Sequence, residues 1–268
     1  MRAAMLKVGE AQWAWDVEAD NVEQVPKFAS VESVETASFV VDTRWNANTR
    51  DLRFRQGLAH AIDCETIVEK ILKGQGGCRA LSYHPSTTGV PADLKPYPYD
   101  PEKARQLIRE SGFEGSKVVV VAASESYTKS NEVVEAVISY WSDVGLDPEV
   151  QFVEPAIANR ILRDVGGVPA EATIHPKIAM DGVPHMRLLG HTNDIIEPEP
   201  TWQYASCTMY IAWSCFPEVW QQMQEAMATP PGPEREKKLE KWHRWWYENL
   251  VHIPIHDIRP VYGLSTNR

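Results

Sequence analysis

The stretch FRQGLAHAID at residues 54–63, continued by CETIVEKILKG at residues 64–74, decides the fold of this chain. Its apolar residues recur at the spacing of one helix face. Asp51 and Asp63 precede the two apolar series, and an aspartate there accepts hydrogen bonds from the free N–H groups of a first helical turn. The sequence therefore predicts two consecutive helices, separated at Asp63 and ended by Gly74.

The stretch YPYDPEKARQLIRESG at residues 97–112 predicts a third helix. Asp100 can cap it, and Pro101 has the backbone angle of a first helical turn. The acid that follows is negative where the helix dipole is positive, and Gly112 is the expected stop. The segment before this helix contains Gly, Pro, Ser and Thr throughout, which predicts a loop.

The run KVVVVAA at residues 117–123 is short and rich in β-branched residues, which predicts a buried strand. An amphipathic helix is predicted next at residues 131–144, then a strand at residues 149–153 and a helix at residues 155–164. The order strand, helix, strand, helix predicts a parallel βαβ unit and an α/β layer.

Strands are also predicted near both ends of the chain. Apolar residues alternate at residues 8–17, and residues 38–42 form a second short strand pattern. Residues 251–258 alternate too, and Pro254 favours a sheet edge because it cannot donate to a strand ladder. The remaining predictions are loop over most of residues 166–200 and helices at residues 217–228 and 234–249.

The composition is that of a globular protein, with 43% apolar and 24% charged residues. The formal net charge is −10, which argues against a nucleic-acid partner because phosphate binding relies on clustered Lys and Arg. The sequence contains no run of eighteen apolar residues, so it predicts no transmembrane helix.

The four cysteines fit no zinc-binding spacing. Cys207 and Cys215 could close a short loop by a disulfide if their segments pair. Cys64 and Cys78 are predicted to be unpaired, because a predicted helix separates them.

The motif at residues 54–63 resembles the VRQAL-x-x-AID helix of the family 5 extracytoplasmic solute-binding proteins, which are the dipeptide, oligopeptide and nickel receptors of ABC importers. Residues 97–108 are nearly identical to that family's YPYDPEKARQLL signature. The resemblance implies an α/β, periplasmic-binding-protein type II-like fold of two lobes. Residues 1–50 would be a remnant of the first lobe, residues 51–250 the second α/β lobe, and residues 251–268 a strand returning toward the first lobe.

The same resemblance implies that the chain is partial. Family members are longer and begin with a signal peptide, whereas residues 1–7 are too short and polar to be one. The implied function is that of a receptor, monomeric and periplasmic or membrane-anchored outside the cytoplasm. It would capture a small solute, peptide-like or other, between its lobes and deliver it to a membrane permease, without catalysis, cofactor or metal.

The resemblance also indicates ligand-binding residues. In the family a strand with a Gly, an aromatic residue and then an Asp reaches the cleft, and here that pattern corresponds to Gly190, His191 and Asp194. In peptide-binding members this Asp pairs with the ligand's amino group; the alternative is that Asp194 only caps a turn. Trp202 and Tyr204 follow and could line the cleft or pack in the core.

Arg187 is a further candidate for the cleft. Its guanidinium would place a cation in the cleft. The presence of His191 where the family has an aromatic residue leaves peptide specificity open.

Two alternatives to a receptor remain open. A cytoplasmic α/β hydrolase or transferase could use His and Asp residues of the segment 166–200, provided that a nucleophile or metal lies near His185 or His191. His252 and His256 beside Asp257 could likewise form a metal site or dyad, although most such histidines are structural. The third reading is a truncated product without function.

Overall fold

The structure is a computed structural model that describes residues 2–15, 17–25, 27–30, 35–43, 46–158, 185–191, 198 and 214–265. Its α-helices are α1 (Arg2–Val8), α2 (Leu52–His60), α3 (Cys64–Thr66), α4 (Pro101–Glu110), α5 (Ser130–Asp143), α6 (Pro217–Met227) and α7 (Pro233–Glu248). Its strands are β1 (Trp13–Ala14), β2 (Lys27–Ser30), β3 (Thr36–Val41), β4 (Lys117–Ala123), β5 (Asp147–Val153), β6 (His185–His191), β7 (His252–Asp257) and β8 (Val261–Leu264). Short 3₁₀ helices lie at Ala19–Gln24 and Ala47–Arg50.

Five strands form a mixed sheet in the order β5-β4-β6-β3-β7, called the large sheet below. β4 runs parallel to β5 and β6, whereas β3 is antiparallel to β6 and β7. Helix α5 connects β4 to β5, which confirms the predicted parallel βαβ unit. Strand β7 ends this order, so the predicted edge position of the strand containing Pro254 is also confirmed.

Strand β6 lies in the middle of the large sheet, inside the segment 166–200 that was predicted to be mostly loop. Met186 and Leu188 face the main core, and His185 and Arg187 face the opposite side; all four are at most 5% exposed. The alternation of polar and apolar residues covers only residues 185–188, the shortest run that indicates a strand, and Gly- and Pro-rich surroundings conceal it.

The predicted helix starts are confirmed. Asp51, Asp63 and Asp100 each accept a hydrogen bond of 2.9 Å from a backbone N–H of the first turn. The helix predicted after Asp63 differs from a regular one, since α3 is continued by a π-helical turn at Ile67–Ile71.

Helices α2, α4 and α5 cover one face of the large sheet and form the main core with it. Trp141 of α5 is fully buried, its ring lies 4.9 Å from that of Phe39 in β3, and its Nε1 donates to the Leu58 carbonyl at 3.1 Å. Gly57 lets α2 and α4 approach closely, because a Cβ there would lie 2.8 Å from Cδ1 of Ile108.

A second core lies between α6, α7 and the loop after Arg79. Tyr83 is buried there with its ring 5.3 Å from both Trp242 and Trp246. Beside them, the imidazole of His243 is fully buried and donates through Nδ1 to the Gly89 carbonyl at 2.9 Å. The tryptophans of α7 are therefore core residues, as their helical spacing predicts.

The remaining strands form a three-stranded sheet in the order β1-β8-β2, which together with α1 and the first 3₁₀ helix is called the small unit below. Helix α1 was not predicted, and the strand predicted at residues 8–17 is reduced to β1. Leu6, Val17 and Val25 cover one face of this sheet, where a Cβ on Gly263 would lie 2.5 Å from Cδ1 of Leu6.

Strands β1, β2 and β8 belong to the three-stranded sheet, and β3 to β7 belong to the large sheet. The chain therefore changes sheets between β2 and β3 and again between β7 and β8. Strand β3, from the segment 1–50, and strand β7, from the segment 251–268, therefore belong to the large sheet with strands of the segment 51–250. The boundaries at residues 50 and 250 stay a prediction as a division into domains.

The prediction that Cys64 and Cys78 are unpaired is wrong, because they form a disulfide with their Cα atoms 5.8 Å apart. The chain reverses after the π-helical turn, where Lys73 and Gly74 have positive φ, and it brings Cys78 back beside the start of α3. Cys78 then pairs with His256, the Asp257 N–H donates to the Gly77 carbonyl, and the Arg79 N–H donates to the Ile255 carbonyl. The predicted Cys207–Cys215 disulfide involves Cys207, which lies outside the described residues. This pairing stays a prediction.

Arg55 of α2 connects three segments in the interior. Its Nη1 donates to the Thr49 carbonyl at 2.8 Å, and its Nε and Nη2 donate to the Asn249 carbonyl at 3.1 and 3.0 Å. The guanidinium lies 5.1 Å from the centre of the Phe216 ring. Burial lowers the pKa of Arg55 to about 10, which still leaves it charged at neutral pH.

We expect Arg55→Met to lower the free energy of unfolding by about 3 kcal/mol, because the carbonyls of Thr49 and Asn249 lose their buried donors. Arg53→Met is the matched control: its side chain is 52% exposed and bonded to Asp51, so little change is expected. Urea denaturation of both variants measures the difference, and equal midpoints would contradict the assigned role.

We also expect Cys64→Ser, Cys78→Ser and the double variant each to lose about 3 kcal/mol of unfolding free energy, since the cross-link closes a loop of about 15 residues. Each single change should equal the double one, because either change removes the same bond. Denaturation without reductant checks this, and additive losses would argue against the disulfide.

Candidate functional site

One edge of the large sheet faces the small unit. Because β4, β5 and β6 are parallel and β3 is antiparallel to both β6 and β7, the carboxyl ends of β4 to β7 lie at the same edge as the start of β3. The chain passes between the two sheets at this edge twice, before Thr36 and after Asp257. Groups at this edge therefore lie between the two parts of the molecule.

The connections of the large sheet change direction at β4. Strand β5 follows β4 on one side, and β6 lies on the other side. In open α/β sheets ligands bind outside the carboxyl ends of the strands at such a switch point. The region beyond the carboxyl ends of β4 and β6, called the switch crevice below, is therefore the candidate binding site.

The predicted ligand-binding stretch begins at this crevice. Strand β6 ends at His191, which is paired with Thr36, and Asp194 follows three residues later. A Cβ on Gly190 would lie 3.2 Å from Cδ1 of Ile258 in the segment that passes to the small unit. The backbone of β6 thus comes close to that segment at the edge where a cleft is expected.

The side chains of the predicted site are described only in part. Asp194, Trp202 and Tyr204 lie outside the described residues, and so does the side chain of His191. Their roles as ligand contacts stay predictions.

Arg187 is the one predicted site residue whose side chain is described. It is 3% exposed, and its Nη1 donates to the Ala158 carbonyl at 2.7 Å. It lies on the face of β6 that is turned away from the main core, beside Val40 of β3. Its described contact is therefore with backbone, and its role toward a ligand stays a prediction.

A loop that the sequence analysis did not assign to the site borders the switch crevice. Residues 124–129, called the rim loop, connect β4 to α5. The Ser124 N–H donates to the Val153 carbonyl at 2.9 Å, and the Glu125 N–H donates to Oδ1 of Asn131 at 3.0 Å. Glu125 and Lys129 have φ values of 51° and 65°, in the left-handed region. The available signal was the position of ASESYTKS directly after a predicted parallel strand.

Tyr127 connects the rim loop to β7. Its hydroxyl lies 3.2 Å from Nε2 of His256, and Nδ1 of His256 donates to the Asp257 carbonyl at 2.7 Å. Nε2 then accepts from the tyrosine in the neutral imidazole, and burial lowers the pKa of His256 accordingly. A cavity of about 20 Å³ beside them is also lined by Val17 and Val261 of the small unit, so the two parts are in close contact here.

Asp257 is a fully buried carboxylate where β7 leaves the large sheet. Arg259 Nε donates to its Oδ2 at 2.6 Å, Arg79 Nη2 lies 3.2 Å from the same oxygen, and the Gly77 N–H bonds to Oδ1. Burial alone would raise the pKa of Asp257, but these donors hold it below its usual value. The carboxylate thereby fixes the segment that leads to the small unit.

The histidines considered as catalytic or metal-binding groups have structural contacts in the part of the chain that the structure describes. His252 Nδ1 lies 3.3 Å from the Ser82 hydroxyl, and His256 bonds to Tyr127. Within that part, no three His, Cys, Asp or Glu side chains are grouped so as to hold a metal ion. None of the described helices is long and apolar enough to cross a membrane.

Comparison with known proteins identifies relatives of this architecture. The family model of the bacterial extracellular solute-binding proteins, family 5 middle, matches residues 1–208. A putative ABC transporter peptide-binding protein of Brucella ovis is 29% identical over 175 residues, which are 63% of this chain and 33% of that protein. The glutathione-binding protein of Escherichia coli K12 is 26% identical over 154 residues, 56% of this chain and 30% of that protein.

A solved structure shares the fold. The periplasmic binding protein DppA of Helicobacter pylori, in complex with the peptide STSA, superposes with a TM-score of 0.80 at 19% identity. The superposition covers 98% of this chain and 50% of DppA. The chain thus spans about a third of the length of the curated relatives it matches and half the length of this structural neighbour. The two-lobe architecture of that neighbour is the one that the family resemblance predicts.

The buried histidines make stability depend on pH. Burial lowers the pKa of His243 to about 3, against about 6.5 in an unfolded chain. Between these values the unfolded state binds one more proton, so the free energy of unfolding should fall with decreasing pH by up to about 1.4 kcal/mol per unit. We expect His243→Gln to flatten this dependence; His60 and His256, whose pKa values burial also lowers, supply the residual slope. Denaturation at several pH values measures the slopes, and parallel curves would contradict a neutral His243.

Proposed function

Since the chain belongs to family 5 of the bacterial extracellular solute-binding proteins, we propose that it supplies the second-lobe half of a receptor for an ABC importer. The receptor captures a small solute between two lobes and passes it to the permease in the membrane. The observation that carries this proposal is the switch point between β4 and β6, at the edge of the large sheet that faces the small unit.

The small unit supports a first lobe that continues in further polypeptide. Trp13 and Leu264 are paired neighbours on the sheet face opposite Gly263, and they are 60% and 48% exposed. Trp15, two residues beyond Trp13, is also more than half exposed. A face this apolar is normally covered in a soluble protein. We propose that first-lobe polypeptide, comparable to the unmatched half of DppA, covers it and closes the other side of the crevice.

The proposed solute carries a cationic group. Asp194 stands three residues beyond the end of β6, where a carboxylate shielded from water would favour an ammonium group strongly. His191, Trp202 and Tyr204 would line the same crevice, and Arg187 would favour a solute whose other end is negative. Peptides and glutathione, for which two of the relatives are named, have both kinds of charge.

Family 5 consists of receptors rather than enzymes, and we propose that this chain likewise has no catalytic activity and acts as a monomer. Members are extracellular solute-binding proteins. A location in the periplasm, or outside the cytoplasm on a membrane anchor, suits the Cys64–Cys78 disulfide because such bonds persist in oxidising compartments.

A binding screen tests the proposal. The chain is titrated with glutathione and with a set of di- to tetrapeptides, and the thermal midpoint is recorded. A solute at one hundred times its dissociation constant should stabilise the folded chain by about 2.7 kcal/mol. For a solute that binds, we expect Asp194→Asn to weaken affinity at least tenfold by calorimetry, because a desolvated ammonium group would lose its partner.

Glu114→Gln is the matched control. It also removes one carboxylate, but Glu114 is exposed and precedes β4, at the opposite end of the large sheet. The control should bind with unchanged affinity. If Asp194→Asn and Glu114→Gln bind the solute equally well, the assignment of Asp194 is wrong; if no cationic solute shifts the midpoint, binding by this half of the receptor is wrong.

A further inference from the structure

Lys129, the last residue of the rim loop, forms an ion pair with the small unit. Its Nζ lies 2.5 Å from Oδ2 of Asp20 and 3.0 Å from Oε1 of Glu132. Glu132 is in the first turn of α5, the helix that Lys129 precedes, whereas Asp20 is in the 3₁₀ helix of the small unit. The lysine side chain is 21% exposed, so it is partly shielded from solvent.

The Asp20 end of this pair is firmly part of the small unit. The 3₁₀ helix that contains it lies between Val17 and Val25, which are buried in the small core with Leu6 and Val261. The Val17 N–H donates to the Val261 carbonyl of β8 at 2.9 Å. A movement of Asp20 is therefore coupled to the three-stranded sheet of the small unit.

The Lys129 end is set by its backbone. Lys129 has φ 65° and ψ 16°, a left-handed conformation that lysine seldom adopts, at the point where the rim loop turns into α5. Left-handed residues of this kind persist where the surrounding structure holds them, and they cluster at functional positions. The hydrogen bond to Lys129 lowers the pKa of Asp20, and those to Asp20 and Glu132 raise the pKa of Lys129.

We propose that the Lys129–Asp20 salt bridge, called the fastening below, fixes the angle of the small unit relative to the large sheet. Two chain segments cross between the sheets, and the ion pair is a non-covalent connection beside them. The apolar contact of Tyr127 and Thr128 with Val17 and Val261 lies next to it around the cavity of about 20 Å³. The fastening thus starts from the same loop that borders the switch crevice.

A consequence for ligand binding rests on the proposed function. A solute that displaces the rim loop would shift the backbone of Lys129 and loosen or tighten the hold on Asp20. The angle between the lobes would then respond to the occupant of the crevice through one loop of six residues, 124–129.

Hydrogen exchange detected by mass spectrometry tests the fastening without any solute, so its outcome is independent of the receptor proposal. We expect Lys129→Asn to speed exchange at the amides of residues 17–25 about two- to fivefold, the range for one partly exposed ion pair. Asparagine tolerates the left-handed backbone, so the start of α5 is preserved. Asp20→Asn should have the same effect, and the double variant no more than either single one.

Two controls separate the fastening from local effects. Lys70→Met breaks an exposed ion pair with Glu69, which lies on the helix after Asp63, and should leave exchange at residues 17–25 unchanged. Glu132→Gln removes only the branch within α5 and should affect residues 130–143 alone. Sodium chloride at 1 M, where screening acts within about 3 Å, should bring the unaltered chain toward the Lys129→Asn rates.

The proposal is overturned if residues 17–25 exchange equally fast in the unaltered chain and in Lys129→Asn. It is also overturned if the effects of Lys129→Asn and Asp20→Asn add, because two partners of one bond cannot each contribute it separately.

Discussion

The buried guanidinium of Arg55 is the constraint on which the arrangement of the larger part of the molecule depends. It has backbone carbonyls and an aromatic ring as its described partners, and it holds the chain before α2, the helix itself and the end of α7 in one geometry. A planar donor with five N–H groups can do this, whereas a lysine could not span the same acceptors. Helix α2 of the main core and helix α7 of the second core are thereby held together.

That rigid framework leaves one end of the large sheet for the proposed binding site. The core side of the large sheet is filled by α2, α4 and α5, and tight turns precede β4 and β5 at the end opposite the switch crevice. The carboxyl ends of β4 and β6, by contrast, point toward the small unit and are bordered by the rim loop. Binding residues at such strand ends can vary without disturbing the framework beneath them.

Local patterns in the sequence predicted much of this structure, whereas the features that depend on long-range contacts were missed. Asp51, Asp63 and Asp100 predicted their helices because a cap acts within one turn. Strand β6 escaped the local patterns because its alternation covers only residues 185–188, and the family motif alone implied a strand at Gly190. The Cys64–Cys78 bond was missed because it depends on the reversal at Lys73 and Gly74. For Asp194, the family motif predicts a role that no local rule can supply.

The short segment Gly77–Arg79 has a consequence beyond its contacts. It lies along β7 as a partial sixth strand, anchored by the disulfide at Cys78 and by the salt bridge from Arg79 to Asp257. The outer edge of a sheet is a template for intermolecular pairing, and proteins suppress self-association by covering it. A cross-linked strip over this border therefore protects β7 from pairing with a strand of a second chain.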